Sequence, residues 1–187
     1  MTAEHGAGKE GAKAPEAPLP DGPYGQFLKE NGIKSKRLPD SKGISGVIEN
    51  IELERADLPQ AVKFIRQDTE LGLDLLVCLS AAEMPNSFDS IYHLWSYTSP
   101  KELVIKVSAP KEEAADGKTP AVPSLAKFWP AANWHERESY DLVGIHYVGH
   151  PYLRRILNPW DWEGYPLRRD YKQPVDALND KNPHSMR

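Results

Sequence analysis

Apolar positions first recur at helical spacing in "YGQFLKENG", where Tyr24, Phe27 and Leu28 share one side and Gly32 supplies a stop. "SGVIENIELE", about residues 45–54, changes to a two-residue period and reads as a strand, with Val47, Ile51 and Leu53 on one face and Glu49 interrupting it. "ADLPQAVKFIRQDTELG" returns to helical spacing. Leu58, Ala61, Val62 and Ile65 form its stripe, Asp57 is placed to cap it, Pro59 sits in its first turn and Gly72 ends it. "LDLLVCLS" is apolar throughout and predicts a strand buried on both faces. After the turn "EMPNS", two alternating runs, "SFDSIYHLWSYTS" and "KELVIKVSAP", meet at Ser99-Pro100 and predict an antiparallel hairpin. "KEEAADGKTPAV" reads as a polar loop, and "PSLAKFWPAANWHERESYDLVG" as two helical pieces broken at Pro130. Beyond Gly149 the periodicity stops. Prolines every few residues exclude a helix or central strand, while Trp160, Trp162 and Tyr165 make the segment too aromatic for disorder, so it predicts an extended arm packed on something.

The sum predicts an α/β chain with a single domain. A mixed sheet in the order β-α-β-β-β is followed by helices and an extended C-terminal arm. Residues 1–23, rich in Ala, Gly, Pro, Glu and Lys, read as a flexible tail, residues 24–149 as the α/β domain and 150–187 as the arm.

Composition narrows the chemistry. A net charge of -4 gives no global basic field, which argues against a nucleic-acid partner. The single cysteine, Cys78, excludes an intrachain disulfide and four-thiolate metal ligation, and its apolar surround predicts a buried, inert thiol. No run reaches the ~18 apolar residues that span a bilayer, so a soluble, cytoplasmic chain is expected, reaching a membrane only through something else.

The densest charge lies in "NWHERESYDLVGIHYVGHPYLRRIL", which invites catalytic templates and fails them. His135-Glu136 is followed by Ser139 where a zinc-protease helix needs its second histidine. His146 and His150 are four apart, but Gly144, Gly149 and Pro151 argue against a helix there. Ser139 lacks a nucleophile-elbow surround, and no glycine-rich phosphate loop exists. Glu136 and Glu138 point to different sides of a helix. A stand-alone acid–base enzyme using Glu136, Glu138 and His150 is the weakest alternative.

Helical geometry instead places Trp134, Glu138, Asp141, Leu142 and Ile145 on one apolar stripe, with Tyr140 and Val143 opposite, near Glu136 and Arg137. Carboxylates inside an apolar stripe must be paired or protonated. The expectation is that Glu138 and Asp141 pair with Arg154 and Arg155, or with arginines of another chain. Tyr152, Arg154, Arg155, Trp160, Trp162 and Tyr165 are types enriched at protein interfaces. They serve equally for folding back on their own domain.

The same stretch resembles the signature of the 30-kilodalton subunit family of respiratory complex I, the proton-pumping NADH–quinone oxidoreductase. In bacteria the family supplies the C subunit, and in cyanobacteria and chloroplasts the J subunit. The matching residues are Glu136, Arg137, Glu138, Asp141, Leu142, Val143, His150, Arg154, Ile156 and Leu157. The flanks "PSLAKFWPAANW" and "NPWDWEGYPLRRDYKQP" are similar as well, and the resemblance is strong from about Pro123 to Pro174. Tyr140, Gly144, Arg155, Trp160, Trp162 and Arg168 join the signature as candidate interface positions.

The resemblance implies a non-catalytic structural subunit of the peripheral, quinone-reducing arm of the complex, with no catalytic, cofactor or metal site of its own. FMN, iron–sulfur clusters and quinone would belong to partner subunits. The implied partners are the 49-kilodalton-type subunit (D/H), the 20-kilodalton-type cluster subunit (B/K) and other peripheral-arm subunits. The implied location is the cytoplasmic side of a plasma or thylakoid membrane, held there through the complex. The C and J lineages both fit. The equivalent subunit of a membrane-bound hydrogenase is the alternative within the superfamily.

Overall fold

The computed structural model describes residues 19–43, 46–117 and 119–172. Most of the expected N-terminal tail and the last part of the expected arm, residues 173–187, lie outside them. The described residues form three α-helices and seven strands: α1 (Pro23–Glu30), β1 (Ser35–Gly43), β2 (Gly46–Leu53), α2 (Leu58–Gln67), β3 (Leu75–Glu83), β4 (Ser87–Trp95), β5 (Glu102–Pro110), β6 (Ala121–Pro123), α3 (Pro130–Val143) and β7 (His146–Val148).

The main sheet has five strands in the order β1-β2-β5-β4-β3. β2 and β5 run parallel at its centre, and every other pair is antiparallel. The expected mixed sheet, the helix after β2 and the hairpin between β4 and β5 are all present. Alternation selects the core face: Ile51 and Leu53, Leu103, Ile105 and Val107, and Phe88, Tyr92 and Leu94 enter one cluster. Helices cover that face through Tyr24 and Leu28, through Leu58, Ala61, Val62 and Ile65, and through Ala132 and Val143. Among the described residues no element covers the opposite face. There Ile48, Leu75, Val77, His93, Trp95 and Val104 line an apolar hollow of about 300 Å3.

Several expectations are corrected. β3 is an edge strand with Val77 53% exposed, not a strand buried on both faces, because only β4 flanks it. Cys78 is accordingly half-exposed. β1 was not expected, since "SKRLPDSKG" carries almost no apolar signal and owes its strand form to pairing with β2. The segment before Pro130 forms turns and not a helix, while a short 3-10 helix (Lys111–Gly117) and β6 occupy the expected polar loop. Asp57 stands at the start of α2 but makes no side-chain cap bond.

Glu49, the residue that interrupts the β2 stripe, has a structural task. Its buried carboxylate accepts the backbone N–H groups of Tyr24 and Gly25, both at 3.0 Å, and so caps α1 from another element. A Cβ at Gly22 would stand 2.4 Å from the Glu49 carboxyl carbon, so the close approach requires glycine.

Candidate functional site

The signature segment folds as α3, β7 and the first part of the arm. The sheet-facing side of α3 is Ala132, Glu136, Ser139 and Val143, all buried and within about 60° on the helix wheel. Trp134 is 63% exposed and Glu138 is exposed too. The expected stripe of Trp134, Glu138, Asp141, Leu142 and Ile145 is therefore wrong. The buried side is built from small and polar residues that a count of apolar positions passes over. β7, also not expected, pairs in parallel with β6 and brings Tyr147 under the helix, where its hydroxyl lies 3.0 Å from Ser90 Oγ.

Asp141 is fully buried and organises the start of the arm. Its Oδ2 accepts the backbone N–H groups of Ile156 (3.0 Å), Leu157 (2.7 Å) and Asn158 (2.9 Å). Its Oδ1 accepts from Arg155 Nη1 at 2.8 Å and from Asn158 Nδ2 at 2.9 Å. Burial pushes this carboxyl up, but Arg155 and the Asn158 and Leu157 donors outweigh it and hold the group below the usual carboxylate range. Arg155 also donates to Gly164 O at 2.8 Å and lies over the Tyr165 ring.

Of the two expected carboxylates, Asp141 pairs within the chain. Glu138 faces solvent, with no ion pair among the described residues. Of the two expected arginines, Arg155 takes the pair, and Arg154 instead stacks on Tyr152 with 4.0 Å from its guanidinium carbon to the ring centre.

Two further arginines tie the arm to α3. Arg137 donates from Nε to Arg154 O at 3.1 Å and from Nη2 to Arg155 O at 3.4 Å. Arg168 donates from Nε to Val143 O at 2.7 Å and from Nη2 to Gly144 O at 3.2 Å, placing a cation at the negative end of α3. The helix ends at Gly144, whose φ of +81° and 2.6 Å approach to Arg168 and Tyr165 leave no place for a Cβ. Tyr140 meets Tyr165 edge-on at 6.2 Å.

Glu136 and His150 sit beside each other with fully buried side chains, 4.0 Å apart. Glu136 receives Ser124 Oγ and the Leu125 N–H, both at 2.6 Å, yet burial dominates and lifts its carboxyl to about 7. His150 Nδ1 accepts the Tyr152 N–H at 3.0 Å, so Nε2 carries the ring proton and donates to Asn133 O at 3.1 Å. Burial, with a smaller push from Arg137, keeps the imidazole below its ordinary value and neutral. The neutral imidazole packs against the Glu136 carboxyl.

The signature residues thus converge on a joint between α3 and the arm. Trp160, by contrast, is 85% exposed, and Trp162 is half-buried. Among the described residues no group of three or more His, Cys, Asp and Glu side chains is placed to hold a metal ion. No described helix is long and apolar enough to cross a membrane. Asn158 and Ser124 were missed, while Tyr165 is one of the arm residues that do fold back on their own domain. Only the Asn158-Pro159 pair carried a local signal, that of a turn.

Comparisons with known proteins bear on the same segment. The family profile described as "Respiratory-chain NADH dehydrogenase, 30 Kd subunit" matches residues 51–176. The chain is 42% identical over 123 residues to the C subunit of NADH-quinone oxidoreductase from Chloroherpeton thalassium, covering 64% of this chain and 49% of that protein. It is 43% identical over 111 residues to the corresponding C subunit of a Roseiflexus species, covering 58% of this chain and 60% of that one. For the C subunit of Mycolicibacterium paratuberculosis the match is 31% over 164 residues, with 80% and 67% covered. The chain thus spans about half to two thirds of the length of these relatives. A chain in the structure of the membrane-bound sulfane sulfur reductase, an archaeal respiratory membrane complex, shares the fold. Its TM-score is 0.61 at 17% identity, covering 84% of this chain and 87% of that one.

Proposed function

The chain belongs to the 30 Kd subunit family of the respiratory-chain NADH dehydrogenase, and from that premise we propose that it is a structural subunit of a quinone-reducing oxidoreductase complex, without a catalytic centre of its own. One observation carries the reading. Asp141, Arg155 and Arg168 are consumed in fixing the arm to α3, while Trp160, Leu157 and Tyr152 on that arm stay 85%, 62% and 49% exposed. Large apolar residues held outward by a rigid, internally satisfied joint suit a docking surface.

Catalysis would need a nucleophile, acid or base facing a space where substrate could sit. Glu136 is buried on the sheet-facing side of α3, Asp141 is sealed under the arm, and His150 spends both ring nitrogens on backbone groups. On this reading FMN, iron–sulfur clusters and quinone are held by other subunits. The arm packs on the 49-kilodalton-type subunit, near the 20-kilodalton-type cluster subunit, in a peripheral module facing the cytoplasm. NADH or ferredoxin as donor, and so the C or the J lineage as the nearer equivalent, is set by those other subunits.

The test is assembly. A tagged full-length chain should co-purify with the neighbouring subunits, and a variant lacking residues 158–187 should lose them while keeping its own folded α/β domain. Turnover of a substrate by the isolated chain, or undiminished recovery of partners by the deletion variant, would refute the reading.

A further inference from the structure

Between α3 and the arm lies one charged surface whose positive charge the joint does not neutralise. Arg137, Tyr140, Tyr152, Arg154 and Trp160 line a groove of about 680 Å3 beside α3. Arg155, on the same wall, is committed to Asp141. The other two guanidiniums keep an uncompensated charge. Arg137 meets only backbone carbonyls and the faces of Trp134 and Tyr152, and Arg154 only the face of Tyr152. Among the described residues neither has a carboxylate at ion-pair distance. Stacking occupies the face of the Arg154 guanidinium and leaves its in-plane donors available, the arrangement that receives a carboxylate in two parallel hydrogen bonds.

We propose that this groove takes a carboxylate-bearing segment of the neighbouring subunit, its acid on Arg154 and an adjoining apolar or planar residue against Trp160. The proposal rests on reading the chain as a subunit docked through its arm, and it names the chemistry of what it docks on. The surround favours a protein segment over a polyanion. Exposed Glu138, Asp161 and Glu163 lie on the same stretches of chain, so the positive field is local and matches one or two acids. Arginine and tryptophan are also the residue types that anchor protein partners.

Two variants test it in the complex purified through a tag on this chain. Arg154→Lys replaces the guanidinium with an amine that a zero-length carbodiimide couples to a touching carboxylate. Peptide mass spectrometry should then find a link from position 154 to an Asp or Glu of another subunit, with none in the wild type. Arg154→Glu should lower recovery of that subunit by about tenfold or more at low salt, with the melting temperature of the isolated chain unchanged. A link to Asp176 or Asp180 of this chain would assign the arginine to its own tail and overturn the proposal. So would an assembled Arg154→Lys complex without any link between subunits, or an Arg154→Glu chain that keeps its neighbour. In each of these cases loss of the neighbour on deleting residues 158–187 would leave arm docking standing, and its retention would remove that reading as well.

Discussion

At the scale of single residues, the signature holds two buried acids that burial treats oppositely. Asp141 has five side-chain hydrogen bonds and stays ionised, whereas Glu136 has two and is lifted to about 7. For Glu136 the folded value lies above the ordinary 4.5, so the folded state binds the proton more tightly. Stability from this group is therefore fully present below about pH 4.5 and is lost as pH rises toward 7. The size is on the order of 3 kcal/mol. Glu136→Gln removes the ionisable proton, its Oε1 keeping the Leu125 N–H while its amide N–H donates to Ser124 Oγ in place of the bond the carboxyl accepted. Denaturant unfolding at pH 5 and pH 8 should show a wild-type chain that weakens with pH and a variant that weakens much less. Equal slopes would discard the buried-proton account. Asp141→Asn removes the charge that holds Arg155 and three backbone donors. It should cost about 3 kcal/mol or more, as breaking a buried pair does. Glu138→Gln, at an exposed position without an ion pair, should change stability by less than about 0.5 kcal/mol. Reversed costs in the same unfolding measurement would contradict the geometry.

At the scale of elements, the apolar patterns in α2, β4 and β5 were readable because single faces of these elements meet the core. α3 is covered on two sides, as expected, but the residues expected on those sides were misassigned. One meets the sheet through Ala132, Glu136 and Ser139, and the other meets the arm through Asp141 and Gly144. Neither is an apolar stripe. β1 and β7 were invisible because each owes its form to backbone pairing and not to an apolar pattern of its own, β1 with the adjacent β2 and β7 with β6 on the far side of α3 in the chain. The end of α3 offers a direct check. Gly144→Ala puts a Cβ at a φ of +81° and against Tyr165 and Arg168, so it should cost on the order of 1–3 kcal/mol. It should also make the backbone amides of residues 165–168 exchange faster. An alanine variant with unaltered melting and exchange would mean the arm is not seated on this turn.

At the scale of the whole molecule, the described domain closes its core with helices on one face of the sheet and leaves the other face open, while the arm carries Trp160 and Tyr152 outward and packs Tyr165 on the end of α3. The exposed Trp160 contributes little to folding, so Trp160→Ala should shift the domain's stability by less than about 0.5 kcal/mol. Assembly should suffer far more, by about 2 kcal/mol or above if the residue anchors a partner. Parallel thermal melts and pull-downs separate the two, and a melt that falls in step with assembly would place Trp160 in the fold instead.

The sequence by itself determined the α/β class and the family, because these rest on local periodicity and on a long spaced motif. It also argued against the templates whose spacing is local, the zinc-protease helix and the glycine-rich phosphate loop. The tertiary structure alone decided which acid pairs with which arginine. Asp141 and Arg155 meet because the chain reverses at β7 and lays the arm back across α3. Glu138, three residues from Asp141, faces water. That choice is made by what covers each side of a helix, and covering is a property of distant segments that no local pattern encodes.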